Sequence, residues 1–172
     1  MMAQTADLGT THDPYGEPCL ISLRLLGCNG GIGGPERQTT CYLLDDSVLI
    51  DAGTGLGMLS LDEILRIDHV VLTHAHLDHC GLLPRLVQQG FRGRIFCTQA
   101  TAELTKVVLA DAGRLQEEDA ERANRKGYTR HKPALPLFTE EDAARAMTML
   151  QPVGYRSEEH TSELQSLRHL VC

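Results

Sequence analysis

Apolar residues come in short bursts along the first half of this chain and at helical spacing along the second. Residues 20–26 read LISLRLL, an alternation that predicts a strand. Two more short runs, TTCYLL over 39–44 and VLI over 48–50, flank Asp45-Asp46-Ser47. Asp and Ser bond their own backbone, so this triplet predicts a turn between two strands. Ser60-Leu61-Asp62-Glu63 has the Ser-x-x-Glu pattern of a capping box and predicts a short helix to about Arg66. Residues 70–73 (VVLT) predict the next strand. Residues 81–89 (GLLPRLVQQ) predict a helix with Pro84 in its first turn, where proline is tolerated, and Gly90 ending it. Residues 94–97 predict another strand.

A long helix is predicted from about Gln99, with Leu104, Val108, Ala112 and Leu115 on one stripe that reads as core packing. Residues 116–126 alternate in charge and read as a solvated face, stopped at Gly127. Residues 128–138 carry Pro133 and Pro136 and predict a loop that exposes His131. Thr139-Glu140-Glu141-Asp142 caps a further helix to about Leu150, and a strand starts at Gln151. Hairpin-like strands followed by strands alternating with helices predict an α/β layered fold without internal repeats. Residues 1–18 are polar and acidic and are expected to be a disordered leader, lacking the apolar segment of a signal peptide.

Composition narrows the classes. At 172 residues, with 42% hydrophobic and 23% charged positions, the chain fits one globular domain or part of one. A net charge of -7 argues against broad non-specific nucleic-acid binding, which rests on a basic surface. It leaves room for a substrate phosphate held by metal ions, which bring their own positive charge. The six cysteines (19, 28, 41, 80, 97, 172) form no Cys-x-x-Cys pair and read as mostly reduced thiols. No run approaches the roughly 18 apolar residues of a membrane span, so a cytoplasmic location is expected.

The chemistry concentrates in residues 68–80, DHVVLTHAHLDHC. A buried-type strand is followed at once by His74, His76, Asp78 and His79. Imidazole nitrogen and carboxylate oxygen are zinc donors. His74 and His76, at i and i+2 on a loop, can chelate one ion, and Asp78 and His79, further round the turn, suit a second. Paired metals can hold a hydroxide and clamp a phosphodiester for in-line attack. A His-rich surface loop is the bland alternative. Asp51, at the end of the strand over 48–50, is either a turn aspartate or a carboxylate that orients the metal loop from behind. Cys80 is either a small core residue or a further ligand. The glycine-rich stretch 27–35 is a rim loop or a plain connector. It lacks the dinucleotide spacing, and Gly53-Thr54-Gly55-Leu56-Gly57 lacks the last glycine of such a loop.

The order HxHxDH resembles the signature of the metallo-β-lactamase superfamily. That resemblance implies a partial αββα sandwich, its N-terminal portion, over residues 19–155. It also implies two zinc ions, with His74, His76, Asp78 and His79 as ligands and Asp78 orienting the attacking hydroxide. Residues 70–155 (VVLTHAHLDHCGLLPRLVQQGFRGRIFCTQATAEL, LQEEDAERANRKG, PLFTEEDAARAM, PVGY) resemble β-CASP ribonucleases, which implies RNA as substrate. Residues 20–79 (LGCNGGIGG, TTCYLLDDSVLIDAGTGLG, LSLDEILRIDHV) resemble class II cyclic-nucleotide phosphodiesterases, which makes a small phosphodiester the runner-up. A join between two relatives at their shared motif would produce this pattern. Residues 156–166 (RSEEHTSELQS) resemble a frame translation of a sequencing adapter, so 156–172 are expected to be non-native, and His160 and His169 are not counted as ligands. The family's remaining ligands lie beyond the matching stretch. The chain taken alone is therefore expected to bind metal weakly and turn over little, an inactive fragment being the alternative to a hydrolase.

Overall fold

The structure, a computed structural model, describes residues 4–12, 18–30 and 38–154. Seven strands form one sheet in sequential order: β1 (Gln4–His12), β2 (Pro18–Gly27), β3 (Cys41–Leu44), β4 (Val48–Ile50), β5 (His69–Val71), β6 (Arg94–Thr98) and β7 (Leu150–Val153). The first four run antiparallel to their neighbours, and β4 to β7 are parallel. β1 occupies most of the segment expected to be a disordered leader. Its backbone pairs with β2 along Gln4↔Leu25 to His12↔Pro18, which corrects the leader reading over residues 4–12. Hairpin pairing satisfies the backbone of a segment whose side chains give no apolar signal. The adapter-like residues 156–172 and most of the glycine-rich stretch, residues 31–37, lie outside the described residues.

The turn between β3 and β4 follows from its sequence. Ser47 N donates to Leu44 O at 3.2 Å, while Asp45 and Asp46 adopt φ of 45° and 56°. Aspartate is among the few non-glycine residues that enter this left-handed region readily.

Parallel neighbours require crossovers. A 3-10 turn (Thr54–Met58) and α1 (Leu61–Ile64) link β4 to β5; α2 (Leu77–Cys80) and α3 (Leu83–Gln88) link β5 to β6; α4 (Gln99–Lys126) and α5 (Glu140–Met147) link β6 to β7. Because the strands step in one direction, right-handed crossovers deliver the helices to one face. Burial agrees. Leu43, Leu49, Val70 and Ile95 sit side by side across β3 to β6, at most 1% exposed, and share a core with Leu83, Leu86, Leu109, Ala143 and Ala146. The opposite face carries Tyr42, Ile50, Val71 and Phe96 in register and is apolar but partly open, with Val71 at 37%. The described residues thus make one sheet with one helical layer, half of the sandwich the resemblance implies.

α4 starts and stops where its sequence says. Thr98 accepts from Thr101 N, and Gly127 closes the helix in the left-handed conformation at φ 67°. Its core face includes only half of the expected stripe: Val108 and Ala112 pack against the core. Leu104 and Leu115 are 59% and 46% exposed, while Thr101, Ala102, Thr105, Leu109 and Gly113 are buried. The buried face is centred on Thr105 and Leu109, roughly 100° round the helix from Leu104. Small residues win that face because α5 crosses closely: a Cβ on Gly113 would lie 2.7 Å from Glu140 N. The charged end of α4 also holds the following loop. Asn124 donates to Ala134 O at 2.9 Å and accepts from Ala134 N at 2.7 Å, and Gln116 accepts from Leu137 N at 2.9 Å.

Candidate metal centre

The site forms where β4 and β5 end, at the carboxyl edge of the parallel strands, where open α/β sheets place their ligands. Leu72 N donates to Phe96 O at 2.8 Å, and the chain then leaves the sheet. Residues 73–76 are irregular. Asp78 and His79 lie on α2, a single helical turn with His76 as N-cap, and not on the open loop expected from sequence. The amides of His79 and Cys80 both donate to His76 O at 2.9 Å, which closes that turn.

Asp51 holds the arrangement from behind. It is 1% exposed and adopts φ 58°, with its amide donating to Val71 O at 2.9 Å. Its carboxylate accepts from Thr73 N at 2.9 Å, from the Thr73 hydroxyl at 2.8 and 2.9 Å, and from His79 Nδ1 at 2.7 Å. Ala52 continues the clamp: its amide donates to His79 O at 2.6 Å, and its carbonyl accepts from Leu82 N at 2.9 Å. Gly53 is obligatory on steric grounds, since a Cβ there would lie 2.3 Å from Asp78 O and 2.6 Å from Thr40 O. Thr39 and Thr54 exchange amide-to-hydroxyl bonds at 2.8 and 2.7 Å and fasten the floor beneath.

The four donors predicted from sequence come together. The His74 ring centroid lies 4.7 Å from that of His76 and 3.9 Å from that of His79, and His79 Nε2 lies 3.6 Å from Asp78 Oδ2. His76 is exposed, and His74, Asp78 and His79 are half-buried, so the cluster opens to solvent. Among the described residues no three donors converge tightly enough to cage an ion as they stand. The donor set nevertheless fits a zinc site in kind. Three imidazoles and a carboxylate share one opening, and the His79 contact to Asp51 through Nδ1 leaves Nε2 for an ion, the usual arrangement of a metal-binding histidine.

Cys80 does not belong to the donor set. It is fully buried, its Sγ faces Ala75 O at 3.5 Å, and burial pushes its thiol up to about 12, with Asp51 and Asp78 adding to the rise. It stays protonated and packs in the core. Cys41 is likewise raised by burial and by Asp51. Cys28, Cys41, Cys80 and Cys97 are all free thiols. His131 is exposed on the loop after α4 and takes no part. The residue that sequence reasoning passed over is Thr73, counted only as the end of a strand. Its hydroxyl, placed directly before the first histidine, was the available signal.

The chain belongs to the metallo-beta-lactamase superfamily, whose model matches residues 34–147. Among curated proteins, it is 26% identical over 166 residues to the cleavage and polyadenylation specificity factor 73 of Drosophila melanogaster, covering 90% of this chain and 22% of that protein. It is 38% identical over 90 residues to ribonuclease TTHA0252 of Thermus thermophilus, covering 52% of this chain and 17% of that protein. It is 41% identical over 103 residues to the transcription termination factor FttA of Methanococcus maripaludis, covering 51% and 16%. The chain thus spans no more than 22% of the length of these relatives. The match to the Drosophila melanogaster protein, covering 90% of the chain, takes in both 20–79 and 70–155. The phosphodiesterase likeness of residues 20–79 rests on the sequence reading alone. Among the described residues no helix is long and apolar enough to cross a membrane.

Proposed function

We propose that this chain carries the first half of the metal centre of a zinc-dependent hydrolase that cleaves phosphodiester bonds in RNA. The observation that supports it most is the convergence of His74, His76, Asp78 and His79 at the carboxyl ends of β4 and β5, in a chain whose relatives include a ribonuclease and an RNA cleavage factor. His74 and His76 would hold one zinc, and Asp78 with His79 a second. Bound zinc lowers the pKa of its water toward neutrality and stabilises charge on the phosphoryl oxygens. The chain's own part is to aim the donors. Asp51 fixes the His79 ring through Nδ1, α2 holds Asp78 beside Nε2 of that ring, and the Asp78 carboxylate orients the attacking water. RNA is preferred over a cyclic nucleotide because the relatives include, by their names, a ribonuclease and a cleavage and polyadenylation specificity factor.

Zinc binding by the 172-residue chain, followed by competition with a chromophoric chelator, tests the metal reading. His76→Ala is expected to weaken it at least about tenfold, as losing one of few ligands should. Binding unchanged by His74→Ala, His76→Ala and Asp78→Ala together overturns it. Because the described donors give each ion only two protein ligands, cleavage of a labelled RNA by this chain with zinc is expected to be slow and abolished by His76→Ala. Faster hydrolysis of a 3′,5′-cyclic nucleotide than of RNA would replace the substrate assignment.

A further inference from the structure

We infer that Thr73 is a positioning residue that commits the His74 ring to a single tautomer. In this way one buried carboxylate, Asp51, orients histidines assigned to two different metal positions. The inference rests on the proposed metal reading only for its affinity arm.

Proton placement fixes the tautomer. Thr73 Oγ1 lies 2.8 and 2.9 Å from the two oxygens of Asp51 and 3.0 Å from His74 Nδ1. A hydroxyl has one proton to give and lone pairs to accept with, and an ionised carboxylate only accepts. If the hydroxyl proton pointed at His74, two oxygens without a proton between them would face each other at 2.8 Å. The proton therefore goes to Asp51, and the Thr73 oxygen presents a lone pair to His74 Nδ1. That nitrogen must then carry the ring proton, which leaves the lone pair on Nε2. His79 reaches the same state directly, because its Nδ1 lies 2.7 Å from Asp51 Oδ2. Both rings thus turn the same nitrogen outward, one set by Asp51 itself and the other through the Thr73 hydroxyl.

The relay is rigidly mounted. Asp51 is 1% exposed, and the Thr73 amide donates to the same carboxylate at 2.9 Å, so Thr73 is tied by backbone as well as side chain. The side chains of residues 74 and 79 differ in what supports them: removing the Thr73 hydroxyl takes the 3.0 Å partner from His74, whereas His79, 3.4 Å from that hydroxyl, keeps Asp51 at 2.7 Å; changing Asp51 takes the acceptor from His79 and frees the Thr73 proton to turn toward His74.

The decisive measurement is long-range 1H–15N correlation of the imidazoles in the uniformly labelled, metal-free 172-residue chain, at about pH 8, where free histidine is neutral. Wild type is expected to show Nδ1–H signatures for His74 and His79. Thr73→Val, which keeps the shape and loses the hydroxyl, should move His74 toward the Nε2–H form and leave His79 unchanged. Thr73→Ser should restore His74. The unmoved His79 signal in Thr73→Val serves as the check that the fold survives. A His74 tautomer indifferent to Thr73→Val, or one that Thr73→Ser fails to restore, overturns the inference. As a second readout, zinc affinity is expected to fall about tenfold in Thr73→Val and to stay within about twofold in Thr73→Ser, the scale seen when an outer partner of a ligand is lost. If no variant binds zinc, the proposed function fails, and the tautomer measurement still decides the role of Thr73.

Discussion

Two polar clusters in this chain use the same kind of acceptor, a carboxylate gathering N–H and O–H donors, in opposite surroundings. At the sheet edge, Asp51 is sealed in and takes donors from Thr73 and His79, 22 and 28 residues away. At the start of α1, Glu63 stands near the surface and closes a capping box with Ser60, accepting from its amide and hydroxyl at 2.7 Å and from Arg24 at 2.5 Å. Burial separates them. The Asp51 carboxylate is 1% exposed and depends on these donors in place of water, whereas water can replace much of what surrounds Glu63. The first cluster should therefore be far more sensitive to substitution, and its loss should reach the site.

The largest effect is expected at Asp51. Asp51→Ala leaves the Thr73 amide and hydroxyl and the His79 ring without their acceptor, at a cost of about 3 kcal/mol in unfolding free energy. Asp51→Asn keeps one acceptor oxygen but turns an NH2 toward donors, and should cost less. Urea midpoints of the two variants measure this. A loss below that of a surface substitution for Asp51→Ala would erase the contrast with Glu63.

A second contrast lies within α4. Leu109 is fully buried and Leu104 is 59% exposed, although the expected stripe of Leu104, Val108, Ala112 and Leu115 included the second and left out the first. Leu109→Ala should cost about 2–5 kcal/mol by leaving a cavity. Leu104→Ala should stay within about 0.5 kcal/mol. Comparable losses from the two would restore the stripe read from sequence.

These cases show what was legible in the sequence. Signals written within four or five residues were read correctly: both capping boxes, at Ser60 and Thr139, the Gly127 stop, the Asp45-Asp46 turn, the alternation of β2 and the short apolar runs of β3 to β6. The grouping of His74, His76, Asp78 and His79 was legible because all four fall within six positions. Facts settled by partners distant in sequence were not. The face α4 buries depends on how closely α5 crosses at Gly113, which favours Thr and Ala over Leu. The role of Thr73 depends on Asp51, 22 residues earlier, being folded beneath it. β1 is set by pairing with β2, to which its own residues give no clue.

The smallest expected effect is at Glu63, and its pH dependence is the sharpest check on the contrast. The Ser60 amide lowers this carboxyl most, followed by the Ser60 hydroxyl and Arg24, from 4.5 to about 2. A folded-state value below the unfolded one means the native state is favoured by the ionised form. That contribution is complete above about pH 4.5 and fades as pH falls toward 2. Glu63→Gln preserves the shape of the cap, since glutamine also serves there, and should cost about 0.5–1 kcal/mol at neutral pH. The gap between wild type and Glu63→Gln in urea midpoint should stay constant from neutral pH to about pH 5 and then narrow steadily, because the wild-type carboxyl becomes protonated and neutral like the amide. A gap that persists undiminished at pH 3 would mean that the charge of Glu63 does not carry the difference, and Glu63 would then differ from Asp51 in kind and not only in exposure.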